Sequence, residues 1–76
     1  MKYVIVRIKD LELPIIFPDV ISHSNFGYGD DAIVSAGFCA IQSDGSVEVR
    51  GKSIGLNKIA RLKDVKLIER ALKWEG

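Results

Sequence analysis

KYVIVRIKDLELPIIF, residues 2–17, decides the fold, because two runs of alternating apolar residues flank a short polar turn. If Lys9 and Asp10 form a two-residue turn, residues whose numbers sum to 19 lie opposite each other. Arg7 then faces Glu12, a favourable pair of opposite charges. The sequence therefore predicts a β-hairpin with this register, although a lysine in the turn resists the positive φ that the turn needs.

Pro14 predicts where the second strand of this hairpin lies in the sheet. Opposite Ile5, it occupies a non-hydrogen-bonded site of the hairpin, so the first strand does not need the N–H that proline lacks. A further strand on the outer side would need that N–H. We therefore expect the second strand to be an edge of the sheet.

A second hairpin is predicted over residues 32–51, AIVSAGFCAIQ, SDGS and VEVRG. Asp-Gly at 44–45 is a strong signal for a two-residue turn, which would pair residues whose numbers sum to 89. Cys39 and Ile41 would then share a face with the charged side chains of the fourth strand. Gly37 indicates a β-bulge or a close approach of two backbones.

An amphipathic helix is predicted over residues 65–74, where six apolar residues fall within one half of the helical wheel. Asp64 would fall inside the apolar arc, so we expect it at the N-cap. A further short strand is expected within residues 51–61. The predicted fold is a single α+β domain, residues 1–76, with an antiparallel sheet of four or five strands (two hairpins) packed on one C-terminal helix.

Cysteine usage and the N-terminal sequence predict a cytoplasmic protein. Cys39 is the only cysteine, which excludes a disulfide within the chain and is typical of a reducing compartment. The apolar run before Arg7 is too short for a signal peptide or a membrane span. We expect no membrane partner.

Charge is divided unevenly along the chain. Residues 1–49 contain three basic and seven acidic residues, whereas residues 50–76 contain eight basic and three acidic ones. This asymmetry indicates either an anionic partner or head-to-tail self-association, and the alternative is a solvated helix face beside an acidic loop. The basic residues are too sparse to predict binding of extended nucleic acid.

A candidate anion site lies between the fourth strand and the helix. Gly51-Lys52-Ser53 resembles the end of a P-loop, but Gly45 is one position too far back and strand residues intervene. Backbone amides and basic side chains before a helix N-terminus can nevertheless hold a phosphate. The alternative is an ordinary basic loop.

Two aromatic residues on a glycine-rich loop, Phe26 and Tyr28, suit stacking on a base, unless Phe26 simply fills one end of the core. With the basic segment they complete the predicted ligand site: Phe26, Tyr28, Lys52, Ser53, Asn57, Lys58 and Arg61.

The residues that most often carry catalysis are few in this chain. Cys39 and His23 are the only thiol and the only imidazole, and nothing in the sequence places them together as a nucleophile and its base. His23 with Asp30 and Asp31 matches no metal-binding spacing, and we expect a surface histidine. The predictions are a non-enzyme with no catalytic residue, no metal and no cofactor.

A second apolar sheet face is predicted to point away from the helix. A solvated face should be more polar, so either residues 19–31 or another protein chain should cover it. We expect a homo-oligomer formed through this face. Its predicted residues are Tyr3, Ile5, Pro14, Ile16, Cys39 and Ile41.

Four segments carry a resemblance to a family. ELPIIFPDVISH, VSAGFCAI, VEVRGKSIGL and KLIERAL, between residues 12 and 72, resemble small phage and prophage accessory proteins. The resemblance implies no catalytic residues. It implies a setting in which proteins of this size often bind and neutralise a host defence component, as CRISPR-effector blockers or as oligomeric sponges for nucleotide signals.

The function predicted from these features is a non-catalytic phage-type accessory protein that neutralises a host defence component. Two mechanisms stay open: capture of a small anionic nucleotide, or occlusion of a host protein surface with Asp30 and Asp31 mimicking nucleic acid. The alternatives are a structural or assembly module of a phage and, less favoured, a small enzyme.

Overall fold

Two hairpins build the main sheet within residues 1–23, 32–53 and 56–73, the part of the chain that the computed structural model describes. The strands are β1 (Lys2–Ile8), β2 (Leu11–Phe17), β3 (Ile33–Ile41) and β4 (Val47–Arg50), in the spatial order β2-β1-β3-β4. Two short strands, β5 (Lys52–Ser53) and β6 (Lys58–Ile59), form a separate hairpin, and helix α1 spans Lys63–Lys73. The predicted α+β fold is confirmed.

The first hairpin has the predicted register. Ile8 pairs with Leu11 and Arg7 pairs with Glu12, and the Arg7 Nη2 donates to Glu12 Oε2 at 3.1 Å. Lys9 adopts a φ of 56°, the left-handed conformation that lysine ordinarily avoids. The cross-strand pairing therefore overrides the local preference of Lys9. β2 is an edge of the sheet, as Pro14 predicts.

The second hairpin is shifted by one residue from the prediction. Cys39 pairs with Val49 and Ile41 pairs with Val47, so the partner numbers sum to 88. The predicted register was wrong because it assumed a two-residue turn. With the observed register, Cys39 and Ile41 share a face with the apolar residues of β4, not with Glu48 and Arg50.

Hydrogen bonds in the turn explain this shift. The Gly45 N–H donates to Gln42 O at 3.0 Å, and the Gln42 N–H donates to Ser46 O at 2.8 Å. Asp44 Oδ1 accepts both the backbone N–H and the hydroxyl of Ser46, at 3.0 and 2.7 Å. Gly45 has a φ of 89°, and the result is a three-residue loop with a glycine bulge.

Helix α1 covers the sheet face that was predicted to point away from it. Tyr3, Ile5 and Cys39 are buried in one cluster with Ile68 of the helix. Of the other residues of the predicted interface, Pro14 and Ile16 are half-buried and Ile41 is exposed. The prediction was wrong because both faces of β1 are apolar, so alternation alone cannot select the face that the helix covers.

The opposite face of the sheet is a second, apolar cluster. Val4, Val6, Phe17, Ile33 and Ala36 are buried there, and Ile21 and Leu56 are among the half-buried residues that pack on them. The segment after β2 thus covers part of this face.

His23 also packs on this side and is 6% exposed. Its ring lies edge-on to Phe17 and Phe38, with centroids 5.5 and 5.6 Å away, and its Nε2 is 2.8 Å from the carbonyl oxygen of Gly37. The expected surface histidine is therefore a core residue.

Gly37 marks a close approach of backbones, as predicted. A Cβ at this position would lie 2.7 Å from the carbonyl oxygen of Arg50 and 3.0 Å from the Cβ of Ala60. The absence of a side chain lets β3 pass close to β4 and to the residue after β6.

Candidate functional site

A cluster of charged side chains joins the N-terminus of α1 to the sheet. Asp64 is fully buried, and its Oδ2 accepts the hydroxyl of Tyr3 at 2.7 Å and the backbone N–H of Arg61 at 2.9 Å. Helix α1 begins at Lys63, so Asp64 lies in the first turn and not at the N-cap. Its carboxylate accepts the backbone N–H three residues earlier, as the acidic residue of a capping box does.

Arg61 connects Asp64 to the edge strand. Its guanidinium donates to Asp64 Oδ1 at 3.0 Å and to Glu12 Oε1 at 2.8 Å. Glu12 also forms ion pairs with Arg7 at 3.1 Å and Lys63 at 3.6 Å. The hydrogen bond from Arg61, followed by that from Arg7, lowers the pKa of Glu12 to about 2. Burial, and then the hydrogen bond to Asp64, raises the pKa of Tyr3 far above its usual value.

This cluster removes Arg61 from the predicted ligand site. The Nε and Nη2 of Arg61 donate to the carboxylates of Asp64 and Glu12, and Asp64 is fully buried. The sequence interpretation treated Arg61 as a free cation because its partners lie 3 and 49 positions away along the chain.

Four residues of the predicted ligand site do come together. Lys52, Ser53, Asn57 and Lys58, together with Ile59, line a cavity of about 110 Å³ at the β5–β6 hairpin. Phe26 and Tyr28 lie outside the described residues. Pockets that enclose a drug-sized ligand have volumes of roughly 300–1,000 Å³. This cavity therefore does not enclose a whole nucleotide.

A larger and more apolar depression lies between β2 and α1. We call this depression, which has a volume of about 510 Å³, the β2 edge groove. Its lining residues are Leu11, Glu12, Leu13, Pro14, Leu67, Arg70 and Ala71. A second depression of about 400 Å³ lies against the other side of β2 and shares Leu13 and Pro14 with the groove. The edge strand is thus flanked by concave surface on both sides.

Large apolar side chains are exposed around this edge. Leu11 is 63% exposed and Leu13 is 42% exposed, while Ile8, the cross-strand partner of Leu11, is 55% exposed. Three such residues adjacent on one hairpin form a continuous apolar patch, which is more informative than scattered exposed residues.

The border of the β2 edge groove is positively charged. Arg70 and Glu12 line the groove, and Glu12 forms ion pairs with Arg7, Arg61 and Lys63. These four cations outnumber the two carboxylates among them, Glu12 and Asp64. Lys9 and Asp10 at the tip of the hairpin offset each other. The groove therefore combines an apolar floor with a basic rim.

Cys39 and His23, the candidate nucleophile and base, lie on opposite faces of the sheet. Cys39 belongs to the cluster under α1, whereas His23 contacts Phe17 in the cluster on the other face. Burial raises the pKa of the Cys39 thiol, which opposes formation of a thiolate. Asp30 and Asp31 lie outside the described residues, and within those residues no three potential metal ligands come together.

Sequence analysis missed the charged cluster and the groove, although two signals were present. Asp64 fell on the apolar arc of the helix, which indicates a buried carboxylate with a partner. Tyr3 lay on an apolar sheet face, where its hydroxyl needs an acceptor. The groove had no comparable signal, because it depends on how α1 sits beside β2.

In the described part of the chain, no helix has the length and apolar content needed to cross a bilayer. Neither models of protein families, nor curated proteins, nor solved structures give a match to this chain. The functional proposal therefore depends on the surfaces described above.

Proposed function

We propose that this chain is a non-catalytic accessory protein that binds a partner protein through the β2 edge groove. The observation that carries the proposal is an apolar groove of about 510 Å³ that adjoins the exposed side chains of Leu11 and Leu13. In the phage setting that the resemblance implies, the partner would be a component of a host defence system. Binding would neutralise that component by covering its surface.

The charge of the rim selects the chemistry of the partner. Arg70 lines the groove, and Arg7 and Lys63 lie against Glu12, its one acidic lining residue. Complementary charges across an interface speed association and suppress wrong partners. The matching surface is a segment with apolar side chains flanked by Asp or Glu. We therefore propose an acidic amphipathic segment as the occupant.

Pro14 indicates how this segment docks. The outward-facing backbone of β2 lacks a donor at Pro14, so a partner strand could not complete its hydrogen-bond ladder along this edge. Recognition through side chains in a groove does not need that donor. An amphipathic helix, which presents apolar residues at positions i, i+3, i+4 and i+7, satisfies this condition.

A second copy of the chain is a poorer occupant. In a two-fold symmetric dimer the same surface meets itself, and the basic rim would then face a basic rim. The surface that was predicted to form a homo-oligomer is largely covered by α1. Self-association by another surface stays a prediction.

Synthetic helical peptides test this proposal directly. The probe is a set of fluorescent peptides with leucines at i, i+3, i+4 and i+7 and glutamates on the flanks. A matched set carries lysine in place of each glutamate. We expect saturable binding of the glutamate peptides by fluorescence anisotropy, and affinity at least about tenfold lower for the lysine peptides.

Matched variants locate the binding surface. Leu13→Asp should abolish binding of the glutamate peptides, whereas Val20→Asp should not, since Val20 is 93% exposed and lies outside the groove. Arg70→Glu should weaken binding more than Lys52→Glu, because only Arg70 lines the groove. Equal loss in Leu13→Asp and Val20→Asp, or binding that ignores peptide charge, would overturn the proposal.

A further inference from the structure

We infer that the β5–β6 hairpin holds a single tetrahedral oxyanion, either inorganic phosphate or the phosphate group of a larger ligand. This site is separate from the β2 edge groove and does not depend on the function proposed for the groove. Its five lining residues are Lys52, Ser53, Asn57, Lys58 and Ile59.

Ser53 places a buried hydroxyl group at the wall of this site. It is 4% exposed, although it lines the cavity, and its Oγ accepts the backbone N–H of Leu56 at 3.3 Å. A hydroxyl that accepts one hydrogen bond still has its own hydrogen to donate. A buried hydroxyl at the wall of a polar cavity can therefore donate to an oxygen placed inside it.

Lys58 is positioned beside this hydroxyl by strand pairing. Ser53 and Lys58 are cross-strand partners, so their side chains project from the same face of the hairpin. Lys58 is half-buried, as is usual for a lysine whose aliphatic stem is covered and whose ammonium stays in water. Lys52 pairs with Ile59 on the opposite face and adds positive charge from there. Asn57 contributes two amide donors.

The charge balance of the cavity favours an anion. Two of its five lining residues are lysines, and none is acidic. Arg61, by contrast, lies among the carboxylates of Glu12 and Asp64. Within the described residues, the ion pairs of the chain involve neither Lys52 nor Lys58. The positive charge at this hairpin is therefore available to a ligand.

The size of the cavity restricts the ligand to one group. A volume of about 110 Å³ corresponds to three or four water molecules at roughly 30 Å³ each. Four oxygens around one phosphorus occupy a comparable space, whereas a base or a sugar would remain outside. The ligand class is thus a phosphate group, whatever it is attached to.

Titration with inorganic phosphate, followed by two-dimensional NMR of the full chain at constant ionic strength, tests the inference. We expect saturable shifts of the Leu56 and Lys58 amides that sodium chloride does not reproduce. Lys58→Gln should weaken phosphate binding about tenfold, and Lys52→Gln should weaken it less. Lys66→Gln, an exposed change on α1, should leave the affinity within about twofold.

Two further titrations distinguish inorganic phosphate from the phosphate group of a larger ligand. A nucleoside monophosphate should bind with the same dependence on Lys58 as inorganic phosphate, and the corresponding nucleoside should not bind. Unchanged spectra outside the hairpin show that each variant is folded. Non-saturable shifts, equal loss in Lys58→Gln and Lys66→Gln, or binding of the nucleoside alone would overturn the inference.

Discussion

Each face of the main sheet carries a buried cluster, and the two clusters differ in chemistry. Under α1, apolar side chains surround a hydrogen-bonded cluster in which Asp64 accepts from Tyr3 and Arg61. On the opposite face, the buried cluster is entirely apolar, and His23 packs beside it. The first face therefore contains a hydrogen-bonded group of charged side chains, whereas the described buried cluster of the second face consists of apolar side chains.

This difference shows how the helix is positioned. Apolar contacts stabilise many similar placements of a helix on a sheet, because the hydrophobic effect has no preferred direction. A hydroxyl–carboxylate bond of 2.7 Å between Tyr3 and Asp64 is satisfied in few of them. An unpaired buried carboxylate is strongly unfavourable, so the cluster selects one placement. The position of the β2 edge groove, which lies between β2 and α1, follows from that placement.

Replacement of Asp64 should break this arrangement and has the largest expected effect. Asp64→Ala leaves the Tyr3 hydroxyl without its acceptor and removes one of two carboxylates from Arg61. We expect the free energy of unfolding to fall by about 3–5 kcal/mol in chemical denaturation. Lys66→Ala on the same helix, which is exposed, should change it by less than about 0.5 kcal/mol. Similar small losses in both variants would contradict the role of the cluster.

Lowering the pH should destabilise the helix side of the sheet through protonation of Glu12. Its pKa is lowered to about 2 from a usual value of 4.5, chiefly by Arg61 and then by Arg7. The ionised carboxylate therefore stabilises the fold above about pH 4.5, and this contribution is lost as the pH falls towards 2. Glu12→Gln should lower the Tm by about 5 °C at pH 7, and this difference should vanish near pH 2.

The apolar face supplies the control for this pH experiment. Ile33→Val removes one methylene from the buried cluster opposite the helix and should lower stability by about 0.5–1.5 kcal/mol. This loss should be the same at every pH, because no titrating group is changed. A pH-independent difference for Glu12→Gln would show that Glu12 does not act through its charge.

Replacement of Ser35 should have the smallest effect on the free energy of unfolding, and this effect should be stabilising. Ser35 is fully buried on the helix side, where it pairs with Ile5, and its hydroxyl has no hydrogen-bond partner among the described residues. Ser35→Ala removes the unpaired hydroxyl and should raise the free energy of unfolding by up to about 1 kcal/mol. Destabilisation in this variant would indicate that the hydroxyl is satisfied in solution.

Local sequence predicted the first hairpin well and the second only in part. The first register was selected by Arg7 opposite Glu12 and by two apolar rows, all of which are visible in the sequence. In the second hairpin, the bonds from Ser46 to Asp44 favoured a three-residue loop over the expected Asp-Gly turn. A single residue of loop length placed Val49 and Val47, not Arg50 and Glu48, opposite Cys39 and Ile41.

The candidate sites were predicted to a similar degree. Lys52, Ser53, Asn57 and Lys58 lie together because they belong to one short hairpin. Arg61, close to them in sequence, is directed instead towards Glu12 and Asp64. The sequence could not show this, because Glu12 reaches Arg61 only after β2 and α1 have packed together.

The sequence by itself determined the elements of this protein: a hairpin with its register, an edge strand at Pro14 and a C-terminal amphipathic helix. These depend on alternation, turn residues and helical periodicity, which act between near neighbours. Tertiary structure alone decided which sheet face α1 covers, where Arg61 points and that a groove opens beside β2. Both faces of β1 are apolar, so the choice required a contact between distant residues, the bond from Tyr3 to Asp64.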